Sequence, residues 1–141
     1  MRIMALDIGK VRCGIAISDP RERVASPVCV LPTEEVRAHA ASFRRVLEDW
    51  EPELIVSGLP LSLNGTPGPQ AASIKQIAQQ IARNTNLPLE FADERLSSSE
   101  AKRSLREKGM NEKQMRGKVD MVAASLFLQS WLDAKAAENE R

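Results

Sequence analysis

Residues 2–31 read RIMALDIGKVRCGIAISDPRERVASPVCVL, and this stretch sets the fold. Residues 2–8 are an apolar run rich enough to form a buried strand, and Gly9 to Gly14 then turn the chain. Gly14-Ile15-Ala16-Ile17-Ser18 reads as a second strand. Asp19-Pro20-Arg21-Glu22-Arg23 is a polar turn, because proline cannot continue a ladder. Val24 to Leu31 makes a third strand, which Pro27 assigns to a sheet edge. The chain thus opens as a three-stranded antiparallel meander.

Working outward, Thr33 is the expected N-cap of one helix carrying acids in its first turn and Phe43, Val46, Leu47 and Trp50 at helical spacing. That helix must stop before Pro52. Leu54 to Gly58 is a short buried strand, and a loop from Leu59 to Pro67 follows. Gly68-Pro69 opens a second helix, with Ala72, Ile74, Ile77, Ala78 and Ile81 marking its buried face. Leu87 to Ala92 is a fifth strand. Ser97-Ser98-Ser99-Glu100 has the capping-box pattern and starts a helix ending at Gly109. After a turn at Asn111, a last helix runs from about Lys118 to Ala136, and the end of the chain frays. The predicted class is α/β, a mixed five-stranded sheet, antiparallel at first and then parallel through helical crossovers, flanked by helices. A length of 141 residues suits a single domain, 1–141.

Composition narrows the chemistry. Hydrophobic residues make up 43% and charged residues 28%, the balance of an ordinary globular protein. No apolar run is long enough to cross a bilayer, and the N-terminal run is too short for a signal peptide, so a cytoplasmic protein without a membrane partner is expected. Cys13 and Cys29 read as packed thiols and lack the spacing of a zinc site. His39 is the one histidine and lies in an ordinary helical stretch, so acid–base or metal chemistry falls to carboxylates. Net charge is +1, yet residues 95–118 hold eight basic side chains against three acidic ones. Such a run is either a solvated face or a track for phosphates. With three Phe, two Trp and no Tyr, a single-strand binder that works by stacking bases on aromatics is disfavoured.

Acids stand at three places where they are costly. Asp7 closes the first apolar strand, where a carboxylate needs a ligand or the backbone N–H groups of the Gly9 turn. Asp120 shares a helical stripe with Ala123, Ala124, Phe127 and Trp131, or else serves as a first-turn acid favoured by the helix dipole. Asp93 and Glu94 end the fifth strand, and alternation puts them on opposite faces without choosing between them or excluding a solvated strand end. If these acids converge, they form an oxygen-rich nest for Mg²⁺ or Mn²⁺, and such ions activate water against a phosphodiester.

Four blocks now resemble one family. Leu6-Asp7-Ile8-Gly9 with Arg12 and Gly14 to Asp19 is similar to the opening motif of the YqgF/RuvX family. So are Gly58-Leu59-Pro60-Leu61 with Asn64-Gly65, Asp93 to Ser98 with Glu100-Ala101, and Lys118-Val119-Asp120 with Ala123-Ala124. The matches fall in the family's order over about residues 3–133. The resemblance implies an RNase H-like fold related to Holliday junction resolvases, and a nuclease that matures the 5′ end of pre-16S rRNA. It also implies Asp7, Glu94 and Asp120 as catalytic, metal-binding acids, choosing Glu94 over Asp93. Resolvases often carry a fourth acid three residues after the last; here that position is Ala123, which points to a lighter, three-carboxylate site.

Around these acids, Arg12, Arg95, Arg116 and Lys118 are candidates for gripping phosphates, against a plain surface role for each. Gly9 and Gly14 would let substrate approach the backbone. The loop holding Gly58 and Gly65 precedes a helix start, suited to a phosphate or merely to a turn. Expected partners are precursor rRNA, ribosomal particles or branched DNA, with the chain acting as monomer or homodimer. Two readings compete with the rRNA nuclease. One is a DNA junction resolvase, which must act as a dimer. The other is a non-catalytic nucleic-acid or ribosome-binding module, against which an acidic cluster weighs, since a binder of phosphates gains nothing from it. An actin-like ATPase would need two such domains.

Overall fold

The computed structural model describes residues 1–60, 68–94, 97–115 and 117–139. Its five strands are β1 (Ile3–Ile8), β2 (Arg12–Ser18), β3 (Ala25–Pro32), β4 (Leu54–Leu59) and β5 (Leu89–Asp93), in the order β3-β2-β1-β4-β5. β1 pairs antiparallel with β2 and parallel with β4, and β4 pairs parallel with β5. β3 is the antiparallel edge, and a register shift between Ile15 and Ala16 puts Pro27 beside Ala16. The predicted mixed sheet is what forms. Its helices are α1 (Thr33–Arg37), α2 (Ala41–Trp50), α3 (Pro69–Thr85), α4 (Ser97–Glu107), α5 (Glu112–Met115) and α6 (Val119–Asn139).

Strand alternation divides the core in two. Met4, Leu6, Ile8, Cys13, Ile15, Ile17 and Ile55 point to one face, where Val36, Phe43, Ala78 and Ile81 from α1, α2 and α3 cover them. Ile3, Ala5, Ala16, Leu54 and Val56 point to the other, under Ala124, Phe127, Leu128 and Leu132 of α6. Each large side chain buried here contributes about 1.5–3 kcal/mol relative to exposure. Because both faces are covered, β1 and β4 read as continuous apolar runs.

Several expectations need correction. β2 begins at Arg12, not Gly14, because Ile8 already pairs with Cys13 and the Gly9 N–H closes the turn on the Arg12 carbonyl at 2.8 Å. The helix expected from Thr33 to Trp50 is two helices, broken where His39 adopts φ 55°. Thr33 is not a cap: its N–H donates to the Val11 carbonyl at 2.9 Å and its hydroxyl to the Gly9 carbonyl at 2.8 Å. These tertiary bonds tie α1 to the β1–β2 turn, and nothing in local propensity signals them. On α3 the buried residue is Ala71, not Ala72, since 71, 74, 78 and 81 keep helical spacing. Trp50 stays 36% exposed. β5 starts at Leu89 rather than Leu87, and α6 continues past Ala136 to Asn139.

Candidate functional site

The parallel strands β1, β4 and β5 end at the same edge, where open α/β sheets hold their functional groups. Asp7 lies near the end of β1 on the face shared with Ile3 and Ala5, the face that α6 covers. Glu94 follows the last residue of β5 and shares that face with Ala92, while Asp93 is exposed and alternates with Leu89 and Phe91 toward the opposite core. Asp120, the second residue of α6, sits over the same region. Glu94 thus reaches the site for a reason invisible in the sequence, namely which face the last helix takes.

Two glycines make this meeting possible. Gly14 pairs with Asp7 across the antiparallel ladder, and a Cβ there would collide with the backbone of Asp120 and Met121. Gly58 lies on β4, the other neighbour of β1, where a Cβ would collide with the Glu94 carboxylate and come within 2.9 Å of the Phe127 ring. Each glycine therefore clears space for one of the two acids that join Asp7. Gly14 was expected to admit substrate; it admits α6 instead. Gly9 lies in the exposed β1–β2 turn.

The acids press on one another. The Asp7 carboxyl is pushed up to about 8, first by burial, then by the charge of Glu94, a hydrogen bond donated to Glu94, and the charge of Asp120. Glu94 is raised by burial and by Asp93 and Asp120, while the hydrogen bond it accepts from Asp7 pulls it down. Burial also raises Asp120, against the guanidinium of Arg12. Beneath them Cys13 is fully buried and its thiol is held far above its usual range, so it packs as an inert apolar group. Cys13 and Cys29 are both free, in line with their reading as packed thiols.

Carboxyls crowded and buried together occupy positions that a hard cation would stabilise, and oxygen donors suit Mg²⁺ or Mn²⁺. As they stand, no group of three or more His, Cys, Asp or Glu side chains among the described residues could hold an ion. Asp7 and Glu94 are instead closed on each other through their hydrogen bond. Ala123 is buried one turn along from Asp120, so that position supplies no fourth acid.

Of the basic candidates, Arg12 is exposed and lines a cleft of about 230 Å³ with Lys102, Glu112, Met115, Val119 and Asp120. Lys118 is exposed at the start of α6, its N–H bonded to the Met115 carbonyl at 2.9 Å. Arg95, Arg116 and Gly65 lie outside the described residues. The sequence reading did not single out Lys102, one of eight basic residues in its run. Its signal is the pattern of α4, where Ala101 and Leu105 are buried and Lys102 is exposed.

Comparison with known proteins adds the following. A family described as RuvX, Holliday junction resolvase, matches residues 1–134. A protein of Anaeromyxobacter sp. (strain Fw109-5) named "Putative pre-16S rRNA nuclease" is 41% identical over 137 residues, covering 97% of this chain and all of its own. A protein of Chloroflexus aggregans (strain MD-66 / DSM 9485) with the same name is 38% identical and covers 94% of both. Among solved structures, T. thermophilus RuvC in complex with a Holliday junction substrate superposes with TM-score 0.56 at 14% identity over 96% of both chains. The Fowlpox virus resolvase with Holliday junction DNA gives 0.56 at 15% identity, over 96% of this chain and 99% of that one. The structural matches show a shared fold.

Proposed function

Because the chain belongs to the RuvX family and carries its RNase H-like fold, we propose that it is a divalent-metal-dependent nuclease maturing the 5′ end of pre-16S rRNA in the cytoplasm. The relatives' names support the substrate class. No helix among the described residues is long and apolar enough to cross a membrane. The observation that carries the chemistry is the hydrogen-bonded Asp7–Glu94 carboxyl pair with Asp120 beside it. In a chain with one histidine, placed elsewhere, these are the oxygen donors that would have to turn toward Mg²⁺ or Mn²⁺ to hold it.

When bound, the cation supplies Lewis-acid stabilisation of the phosphoryl oxygen and lowers the pKa of the attacking water. The protein's own part is to hold three carboxylates in register. A bound cation would offset the repulsion and burial that raise Asp7 and Glu94, favouring their ionised, ligating forms. Arg12 and Lys102 flank Asp120 in one cleft, where they hold the phosphate strand against repulsion from the acids. Gly14 and Gly58 fix the spacing of the acids. Lys118 extends the basic surface, the sequence offers Arg95 and Arg116 for the same phosphate-binding role, and ribosomal particles are the setting in which the substrate is met.

The test is cleavage of a precursor 16S rRNA 5′ leader, beside a four-way DNA junction, with Mg²⁺ or Mn²⁺. Cleavage of the leader by wild type, lost in Asp120→Asn, supports the proposal. Cleavage of the junction alone, by a dimer, would make it a resolvase. Activity equal in wild type and variant would remove the carboxylates from the mechanism. With Ala123 in place of a fourth acid, titration without nucleic acid should find one tightly held ion, and two would oppose the three-carboxylate site.

A further inference from the structure

Two clefts on the far side of the sheet from α6 adjoin each other. The first, about 390 Å³, starts at Ile8, Gly9 and Lys10, directly after Asp7, and runs onto α3 at Pro69, Gln70 and Ile74. The second, about 480 Å³, continues along α3 to Arg37 and Arg83. They share Ser73 and Ile77 and so form one groove along a 17-residue helix, about 25 Å in length. Among the described residues neither cleft is lined by Asp or Glu, although the chain has 19 acids. The lining carries three cations, Lys10, Arg37 and Arg83, set among glutamines and Ser73. Arg37 donates to Gln80 at 3.4 Å and pairs with the exposed Glu34, while Lys10 and Arg83 have no ion pair among the described residues.

We infer that this groove is a track for the single-stranded RNA that continues from the cleavage site, an inference that rests on the nuclease reading above. The cations suit phosphates, the amides and the Ser73 hydroxyl suit ribose 2′-hydroxyls, and Ile74 and Ile77 offer an apolar floor. The groove begins at the turn that follows Asp7, on the opposite face of the sheet from the acids, so the RNA would pass over the end of β1 to reach it.

The experiment measures anisotropy of labelled RNA in EDTA, which prevents cleavage. One oligonucleotide just covers the Asp7 region, and a longer one runs the length of α3. Wild type should bind the longer RNA at least about tenfold tighter, and a DNA strand of equal length several-fold more weakly than that RNA. Arg83→Glu, at an exposed position, should abolish the advantage and lower the salt slope by about one or more, yet cleave the short RNA at the wild-type rate with Mg²⁺. Equal binding of long and short RNA by wild type, or undiminished binding by Arg83→Glu, would overturn the track. Equal binding of DNA would overturn its assignment to RNA. Failure of wild type to cleave either RNA would instead count against the nuclease reading, since anisotropy in EDTA does not depend on it.

Discussion

The backbone of Asp120 occupies the space that a side chain on Gly14 would need. Since Gly14 is also the ladder partner of Asp7, one missing methyl group sets how closely the first and last acids of the site approach. The obstructing atoms are backbone and cannot rotate aside. Gly14→Ala should therefore push α6 off β2, with a loss of about 1–3 kcal/mol in denaturant midpoint measurements and of nearly all nuclease activity. Unchanged stability would mean that the contact is not tight.

Gly58→Ala should behave differently. Its new methyl would meet the end of the Glu94 side chain, which can turn away, and the Phe127 ring, which can give slightly. Stability should fall less than in Gly14→Ala, while cleavage falls as severely, because Glu94 is displaced. Stability and kinetic measurements on the two variants side by side check the ordering.

The acids also predict how stability depends on pH. Asp7 is raised in the folded state from its ordinary 3.8 to about 8. Between those values the unfolded chain releases a proton that the folded chain keeps, so metal-free protein loses stability as pH rises. The slope is at most about 1.4 kcal/mol per pH unit for one such proton. Urea midpoints in EDTA should fall from pH 5 to pH 8, recover on adding Mg²⁺, and flatten in Asp7→Asn. A flat wild-type profile would contradict the crowded site.

Arg12→Ala and Lys102→Ala remove cations from the cleft beside Asp120. Each should lower kcat/KM by about 10- to 150-fold, as expected for a lost charged hydrogen bond, mostly through KM. Arg12→Ala should in addition raise Asp120 further and shift the pH–rate profile, because the guanidinium now opposes that rise. Steady-state kinetics over pH would separate the two residues.

Much of this was legible in the sequence. The meander, the edge position of Pro27 and the apolar stripe beneath Asp120 follow from alternation and helical spacing. What was not legible depends on contacts distant along the chain. The break at His39 has no local signal, since Thr33 is anchored to the β1–β2 turn rather than capping a helix. Choosing Glu94 over Asp93 needed the face taken by α6, or a family motif. Gly58 reads as the end of a short buried strand, and its approach to Glu94 emerges only when β5 is laid beside β4.

Single-turnover cleavage of a precursor 16S rRNA 5′ leader by Asp7→Asn is the most direct test of a carboxylate-held metal site. Its rate with Mg²⁺ should fall at least about 100-fold below wild type, while the metal-free fold at pH 8 becomes more stable, because an amide leaves no uncompensated charge beside Glu94. A variant that cleaves at the wild-type rate would contradict it.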